Sequence, residues 1–288
     1  MLYKPLFRIK KQNFPKMQIL EMFTSGKRGD KHNEDGIFFS EDYAAVIDGS
    51  TSKVPLLFNG LTKGQKATQI VKEALACVKP QATLQEITEN LTSAIKEAAP
   101  QLLEQKAAYR LTCSAAIFSH YNRTIWIIGD CQARFNETNY TNRKIVDKVL
   151  EQIRSDINHY WIRQGKSIAD IQKEGDPGRR CILNELQEQC EFQNDANSYN
   201  PFAYSVIDGT SINMSHILII PIPQNINEII LASDGYPLLF NTLKDTENHL
   251  QEMLLTDPLC IDQNMQTKGV MQNGHSFDDR TFLRFTID

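Results

Sequence analysis

Asn33-Glu34-Asp35-Gly36-Ile37-Phe38-Phe39-Ser40-Glu41-Asp42-Tyr43-Ala44-Ala45-Val46-Ile47-Asp48-Gly49-Ser50 reads as a hairpin with acids at both open ends. Gly36–Phe39 and Tyr43–Ile47 are short runs rich in β-branched and aromatic residues, separated by the polar turn Ser40-Glu41-Asp42. Pairing them antiparallel sets Glu34 and Asp35 opposite Asp48 and Gly49, with facing Cβ atoms roughly 4.5 to 5.5 Å apart. Carboxylates that close repel one another unless protons or a cation neutralise them, so the hairpin itself suggests a metal.

The same arrangement recurs along the chain. Apolar runs end at Asp48, at Gly129-Asp130 and at Ser233-Asp234, whereas Asn33-Glu34-Asp35 and Asp278-Asp279 stand before such runs. If the first group of strands runs one way and the second the other, all these acids lie along one sheet edge. Asp-Gly is also a common turn dipeptide, so each placement taken alone has a turn reading. Taken together, a set of oxygens without His or Cys favours Mg²⁺ or Mn²⁺ over zinc. Such metals acidify water and stabilise the charge of an in-line phosphoryl displacement.

The rest of the chain supplies helices and further strands. Met17–Thr24 reads as a strand. Two amphipathic stripes follow the hairpin, Ala67, Ile70, Val71, Ala74, Leu75 and Val78, then Ile87, Leu91, Ile95, Ala98, Leu102 and Leu103, with Pro100 ending or kinking the second. Leu111–Phe118 and Thr124–Ile128 predict a second hairpin. Residues 143–193 are polar, with helical pattern over Ile145–Trp161 and Arg180–Glu191 broken at Gly175–Gly178, and read as an inserted helical flap. Phe202–Ile207, His216–Ile222, Glu228–Ser233 and Arg280–Ile287 read as strands, and Pro237–Leu255 as a helix with Pro in its first turn. Asp208-Gly209 echoes Asp48-Gly49 but lies between two expected strands, which makes it a hairpin turn.

The 288 residues are 41% hydrophobic and 23% charged with a net charge of −4, an ordinary globular composition that argues against nucleic acid as a partner. The expectation is a single domain over 1–288. The N-terminal residues form no apolar leader and no run is long enough for a membrane span, so the location expected is cytoplasmic. Six scattered cysteines without a CxxC pair are expected to be reduced thiols. The six histidines show no metal spacing, and His32 and His275 are the two nearest the acids in sequence.

In order and spacing, Asn33-Glu34-Asp35, Asp48-Gly49, Gly129-Asp130, Ser233-Asp234-Gly235 and Asp278-Asp279-Arg280-Thr281 resemble the signatures of PP2C-type (PPM) metal-dependent serine/threonine protein phosphatases. The resemblance implies an α+β fold, an αββα sandwich of two antiparallel sheets flanked by helix pairs. It implies a hydrolase of phosphorylated proteins in signalling, with Asp48 and Asp234 central to catalysis and two Mn²⁺ or Mg²⁺ ions activating water for direct attack on phosphorus. By motif position Asp48 bridges the metals, Glu34 and the Gly49 carbonyl hold one, and Asp234 and Asp278 the other. Asp35 acts through bound water, and Asp130 serves a third, weaker metal.

Two departures from the family pattern bear on substrate. Asp30 stands where the family commonly has a phosphate-gripping arginine, which leaves Arg28, Lys27, Lys31 or Lys53 for that role, and Ser50 stands where many members have histidine. A poorly gripped phosphate gives the alternative expectation, a regulatory or binding module of the same fold (a pseudophosphatase) that binds metal with little turnover.

Overall fold

Strand β3 (Tyr43–Gly49) is buried almost throughout, and its alternate side chains enter two different cores. Tyr43, Ala45 and Ile47 face a layer of helices, whereas Ala44 and Val46 face a second sheet. A strand covered on both sides needs a continuous apolar run, as Tyr43–Ile47 has. The structure, a computed structural model, describes residues 16–54, 56–197 and 199–288. The arm or edge strand expected before Met17 falls on residues outside that description.

Two five-stranded antiparallel sheets pack face to face. One has the order β10 (Leu218–Pro221), β7 (Thr124–Ile128), β6 (Cys113–Ser119), β3 and β2 (Gly36–Phe39). The other runs β1 (Met17–Ser25), β12 (Arg280–Ile287), β11 (Glu228–Ala232), β8 (Gln132–Phe135), β9 (Thr138–Thr141). A two-stranded ribbon, β4 (Leu57–Phe58) with β5 (Leu61–Thr62), stands apart. Between the sheets lie Val46, Phe118, Ile127, Leu231, Leu283 and Phe285. The Phe285 ring meets Phe118 at 5.6 Å and Phe39 at 5.8 Å between centroids, within the range where aromatic pairs add to plain burial.

Helices α1 (Lys63–Leu75) and α2 (Leu84–Ala98) cover the outer face of the first sheet with Ala67, Ile70, Val71, Ala74 and Leu75 and with Ile87, Leu91 and Ile95, whereas Ala98 of the expected stripe is exposed and Leu102 follows in a separate turn after Pro100. Each starts with a capping box, Thr62 with Gln65 and Thr83 with Glu86, which stabilises its helix by about 1 kcal/mol. The outer face of the second sheet is covered by one long helix, α7 (Leu243–Thr256), and the irregular segment around Cys260 and Phe277. The sandwich is therefore helix pair, sheet, sheet, then a single helix with loop. α7 starts later than Pro237 because Thr242 accepts from the Asp245 N–H and fixes the first turn there.

The polar stretch holds four helices, α3 (Ile145–Arg163), α4 (Ile168–Glu174), α5 (Pro177–Cys181) and α6 (Leu183–Glu188). Gly175–Gly178 does not simply break a helix: Asp176 caps α5, with Pro177 at its first position. Val146, Leu150, Ile182 and Leu186 pack with Tyr204 and Val206, so these helices dock on the segment 202–206. That segment is not a strand. It makes only isolated bridges, and Asp208 is buried in bonds to Arg110, Asn194 and Thr210 instead of turning a hairpin. All six cysteines are free. No helix among the described residues is long and apolar enough to cross a membrane.

Candidate functional site

The pairings fix the polarity of the strands. β3 and β7 are each antiparallel to β6 and therefore run the same way, while β2 opposes β3 and β12 opposes β11. The acids that close β3, β7 and β11 thus share an end with those that precede β2 and β12. Continuing the alternation of Ala44 and Val46, Asp48 points into the space between the sheets. Asp130 sits where the chain passes from β7 in one sheet to β8 in the other. Carboxylate oxygens of Asp48, Asp130 and Asp234 all lie within 4.8 Å of one another.

Two close approaches make this possible. Gly129 has φ 86°, and a Cβ there would stand 2.2 Å from the Ser114 Oγ, the hydroxyl that donates to Asp130 at 2.6 Å. A Cβ on Gly49 would stand 2.5 Å from the carbonyl oxygens of both Glu34 and Gly64. Gly49 thereby brings the first turn of α1 against the Glu34 loop. The hydroxyl of Thr62 that caps α1 also donates to Glu34 Oε1 at 2.5 Å.

The acids fall into two groups. Asp278 has an ammonium on each oxygen, Lys27 at 3.0 Å on one and Lys268 on the other. Asp130 accepts from Ser114 and pairs with Lys144 at 2.7 Å. Although burial opposes ionisation, Lys268 and Lys27 hold Asp278 below the usual carboxylate range, and Lys144 does the same for Asp130. Among the described residues, no lysine stands at ion-pair distance from Asp48, Asp234 or Asp35. Burial, and then neighbouring carboxylates, push Asp48 and Asp234 well up. Burial raises Asp35 to about 7, against the opposing pull of the Ser233 and Thr281 hydroxyls.

A cavity of about 140 Å³ opens over the cluster, lined by Asp48, Asp130, Asp234 and Asp278 and roofed by side chains from the stretch 143–193. Lys53 reaches into it. Among the described residues its ammonium has only the Ser50 hydroxyl, at 3.4 Å, and burial lowers its pKa. Arg179, from α5, lines the same space with its Nη1 on the Thr267 carbonyl at 2.7 Å and, among the described residues, no carboxylate at ion-pair distance.

The other expected phosphate ligands lie elsewhere. Arg28 is exposed and borders an adjoining recess, and Lys31 is exposed. Asp30 is exposed too; its carboxylate accepts from the Gly26 N–H at 3.4 Å, so it closes its own loop and does not line the cavity. His32 and His275 are exposed and do not line it either. Cys131 is buried with its thiol pushed well up, no nucleophile.

Sequence reasoning missed Lys144, Lys268, Arg179 and the part played by Asp279. Asp279 accepts from the Lys27 N–H at 2.8 Å and the Glu34 N–H at 3.1 Å, and so fastens the Glu34 loop to β12. The double acid Asp278-Asp279 was the available signal. The lysines carry none, since they stand in polar stretches like any solvated lysine.

The raised carboxylates make metal-free stability depend on pH. Asp35 holds its proton up to about 7 when folded but only to about 4 when unfolded, so its contribution is full at low pH and lost as pH rises through 7. At about 1.4 kcal/mol per pKa unit this is on the order of 4 kcal/mol. Chelated protein should therefore melt lower at pH 8 than at pH 5, with Asp35→Asn flattening the difference. A melting temperature that rises over that interval in calorimetry contradicts the assignment.

No family model matches the chain, and a comparison with curated proteins finds no match. Solved structures similar to it include bacterial serine/threonine phosphatases. The serine/threonine phosphatase PstP/Ppp of Mycobacterium tuberculosis is 14% identical over 94% of this chain and 99% of its own, with a TM-score of 0.48. The serine/threonine phosphatase Stp1 of Staphylococcus aureus is 16% identical over 96% of each chain, with a TM-score of 0.47. The catalytic domain of PstP in complex with two manganese ions is 11% identical over 94% of this chain and 99% of its own, with a TM-score of 0.47.

Proposed function

We propose that the chain is a metal-dependent phosphatase of the PP2C type that hydrolyses phosphoserine and phosphothreonine in proteins. One observation carries this reading: the unpaired charges that meet in a single cavity. Among the described residues Asp48 and Asp234 have no cation, while Lys53 and Arg179 have no acid. A divalent cation complements the first pair and a phosphate the second.

The donor set fits a hard cation. It consists of carboxylates, three of which bring an oxygen within 4.8 Å of one another, and carboxylate oxygens are the ligands Mg²⁺ and Mn²⁺ prefer. Asp48 and Asp234, with Asp35, would hold Mn²⁺ or Mg²⁺. When bound, the ion supplies a Lewis acid that neutralises phosphate charge and acidifies water. Lys53 and Arg179 orient the phosphate, Arg179 as a planar fork suited to two of its oxygens. The helices α3, α5 and α6 exclude bulk water from the cavity, which strengthens each of these interactions. No side chain stands ready as a nucleophile, in keeping with direct hydrolysis. Six free thiols suit a reducing, cytoplasmic setting.

A second reading, the metal-binding module with little turnover, is favoured by Asp278, whose oxygens are both already taken by lysine. The two are separated by hydrolysis of an aryl phosphate and a phosphothreonine peptide with Mn²⁺, Mg²⁺ or chelator. Turnover that needs metal is expected; turnover unchanged in chelator sinks the phosphatase assignment, and metal binding with background turnover selects the module.

A further inference from the structure

The lysines that meet the acids differ from salt bridges on a surface. Lys27 extends from the loop after β1 into the acid cluster, where its ammonium lies 3.0 Å from Asp278, 3.4 Å from Asp279 and 3.8 Å from Glu34. The Thr51 hydroxyl holds it from the other side at 2.8 Å. Lys268 arrives from a separate segment and takes the remaining oxygen of Asp278. Glu34 is occupied as well, by Thr62 and Lys27. The Lys27 side chain is 17% exposed and that of Lys268 24%, so neither ammonium is well hydrated.

We propose that Lys27 and Lys268 are resident counter-cations of Asp278 and Glu34, so that the chain holds one divalent ion, at Asp48 and Asp234, and not the pair that the family resemblance implies. The inference rests on the metal-dependent reading above. A second ion at Asp278 must displace two ammonium groups that have little water to turn to, and stripping a partner from a buried charge is strongly unfavourable. At Asp48 and Asp234 no ammonium has to leave. A lysine supplies charge but, unlike a metal, no open coordination position, so the two halves of the site differ in kind. The Lys27 and Lys268 ammonium groups fix Asp278, while the metal half is left to face the phosphate.

The test is Mn²⁺ titration of the full chain by calorimetry, with electron paramagnetic resonance of the bound ion. The native chain should take up one Mn²⁺ with a mononuclear six-line spectrum, and the double variant Lys27→Met, Lys268→Met should take up two. Two ions with an exchange-coupled spectrum in the native chain overturn the inference while leaving the phosphatase reading intact. One ion in both proteins also overturns it, since the lysines are then not what limits occupancy. Absence of any binding overturns the inference and the metal-dependent reading together. Should the double variant not fold, the native stoichiometry and spectrum decide alone.

Discussion

Asp48→Asn should lower metal-dependent phosphate hydrolysis on the order of 10³-fold, the scale on which loss of a single preorganised charge-stabilising group is felt at an enzyme site. Asn fills the same volume and keeps β3 intact, but brings no negative charge to the cation. The same change should make the metal-free protein more stable. Asp48 is buried beside Asp35, Asp130 and Asp278, which all disfavour its ionised form, and a neutral amide removes that repulsion. The gain is roughly 1 to 2 kcal/mol in chelator, read from thermal or urea unfolding. Opposite signs for activity and stability are the mark of a group kept for chemistry at a cost to the fold. An active variant, or one that is less stable in chelator, would assign Asp48 a structural role instead.

Arg154→Ala should be the most destabilising single change in the helical stretch. Arg154 is fully buried. Its guanidinium donates to Asp176 at 2.6 and 2.8 Å and to the carbonyls of Leu259, Cys260 and Gln266 at 2.7 to 3.1 Å. Asp176 in turn accepts from Asn158 and caps α5. Removing the arginine leaves a buried carboxylate without its counter-charge and the carbonyls of Leu259 and Gln266 without donors, at a cost of roughly 3 to 5 kcal/mol. For a chain of this size that lowers the melting temperature by about 10 °C. Arg154→Met with Asp176→Leu should lose less than Arg154→Ala, because the stranded charge is gone. A drop of only a degree or two for Arg154→Ala, by circular dichroism, would show that the network is not holding the 259–266 segment. That segment leads to Lys268, so weaker pairing at Asp278 should follow.

The hairpin of β2 and β3 was readable because its alternation and its flanking acids agree with each other. The common polarity of Asp48, Asp130 and Asp234 was readable for the same reason: each closes an apolar run, and antiparallel pairing does the rest. β8 and β9 were not readable. Gln132–Phe135 and Thr138–Thr141 are mostly polar, and their turn places Asn136 and Glu137 at φ 47° and 61°, a conformation seldom given to glutamate. The helix placed at Pro237 began at Leu243 because a cap outweighs a proline cue. The acids of the site could be found from sequence and the lysines could not, since an acid beside an apolar strand is unusual whereas a lysine in a polar loop is not. Asp30, at the position where the family commonly has arginine, accepts from the Gly26 N–H of its own loop.

β12 lies between β1 and β11 and is the neighbour of both. Between the end of β1 at Ser25 and the start of β12 at Arg280 lie most of the residues of the chain. At cellular translation speeds their synthesis takes roughly 10 to 50 s. During that interval β1 has been made but has nothing to pair with, and its backbone groups form an open edge that could template pairing between chains. Asp279, which fastens the Glu34 loop, arrives only with the same late segment. A ribosome-bound chain thus carries an acid cluster that cannot close, and a strand that needs shielding, until residue 287 has emerged.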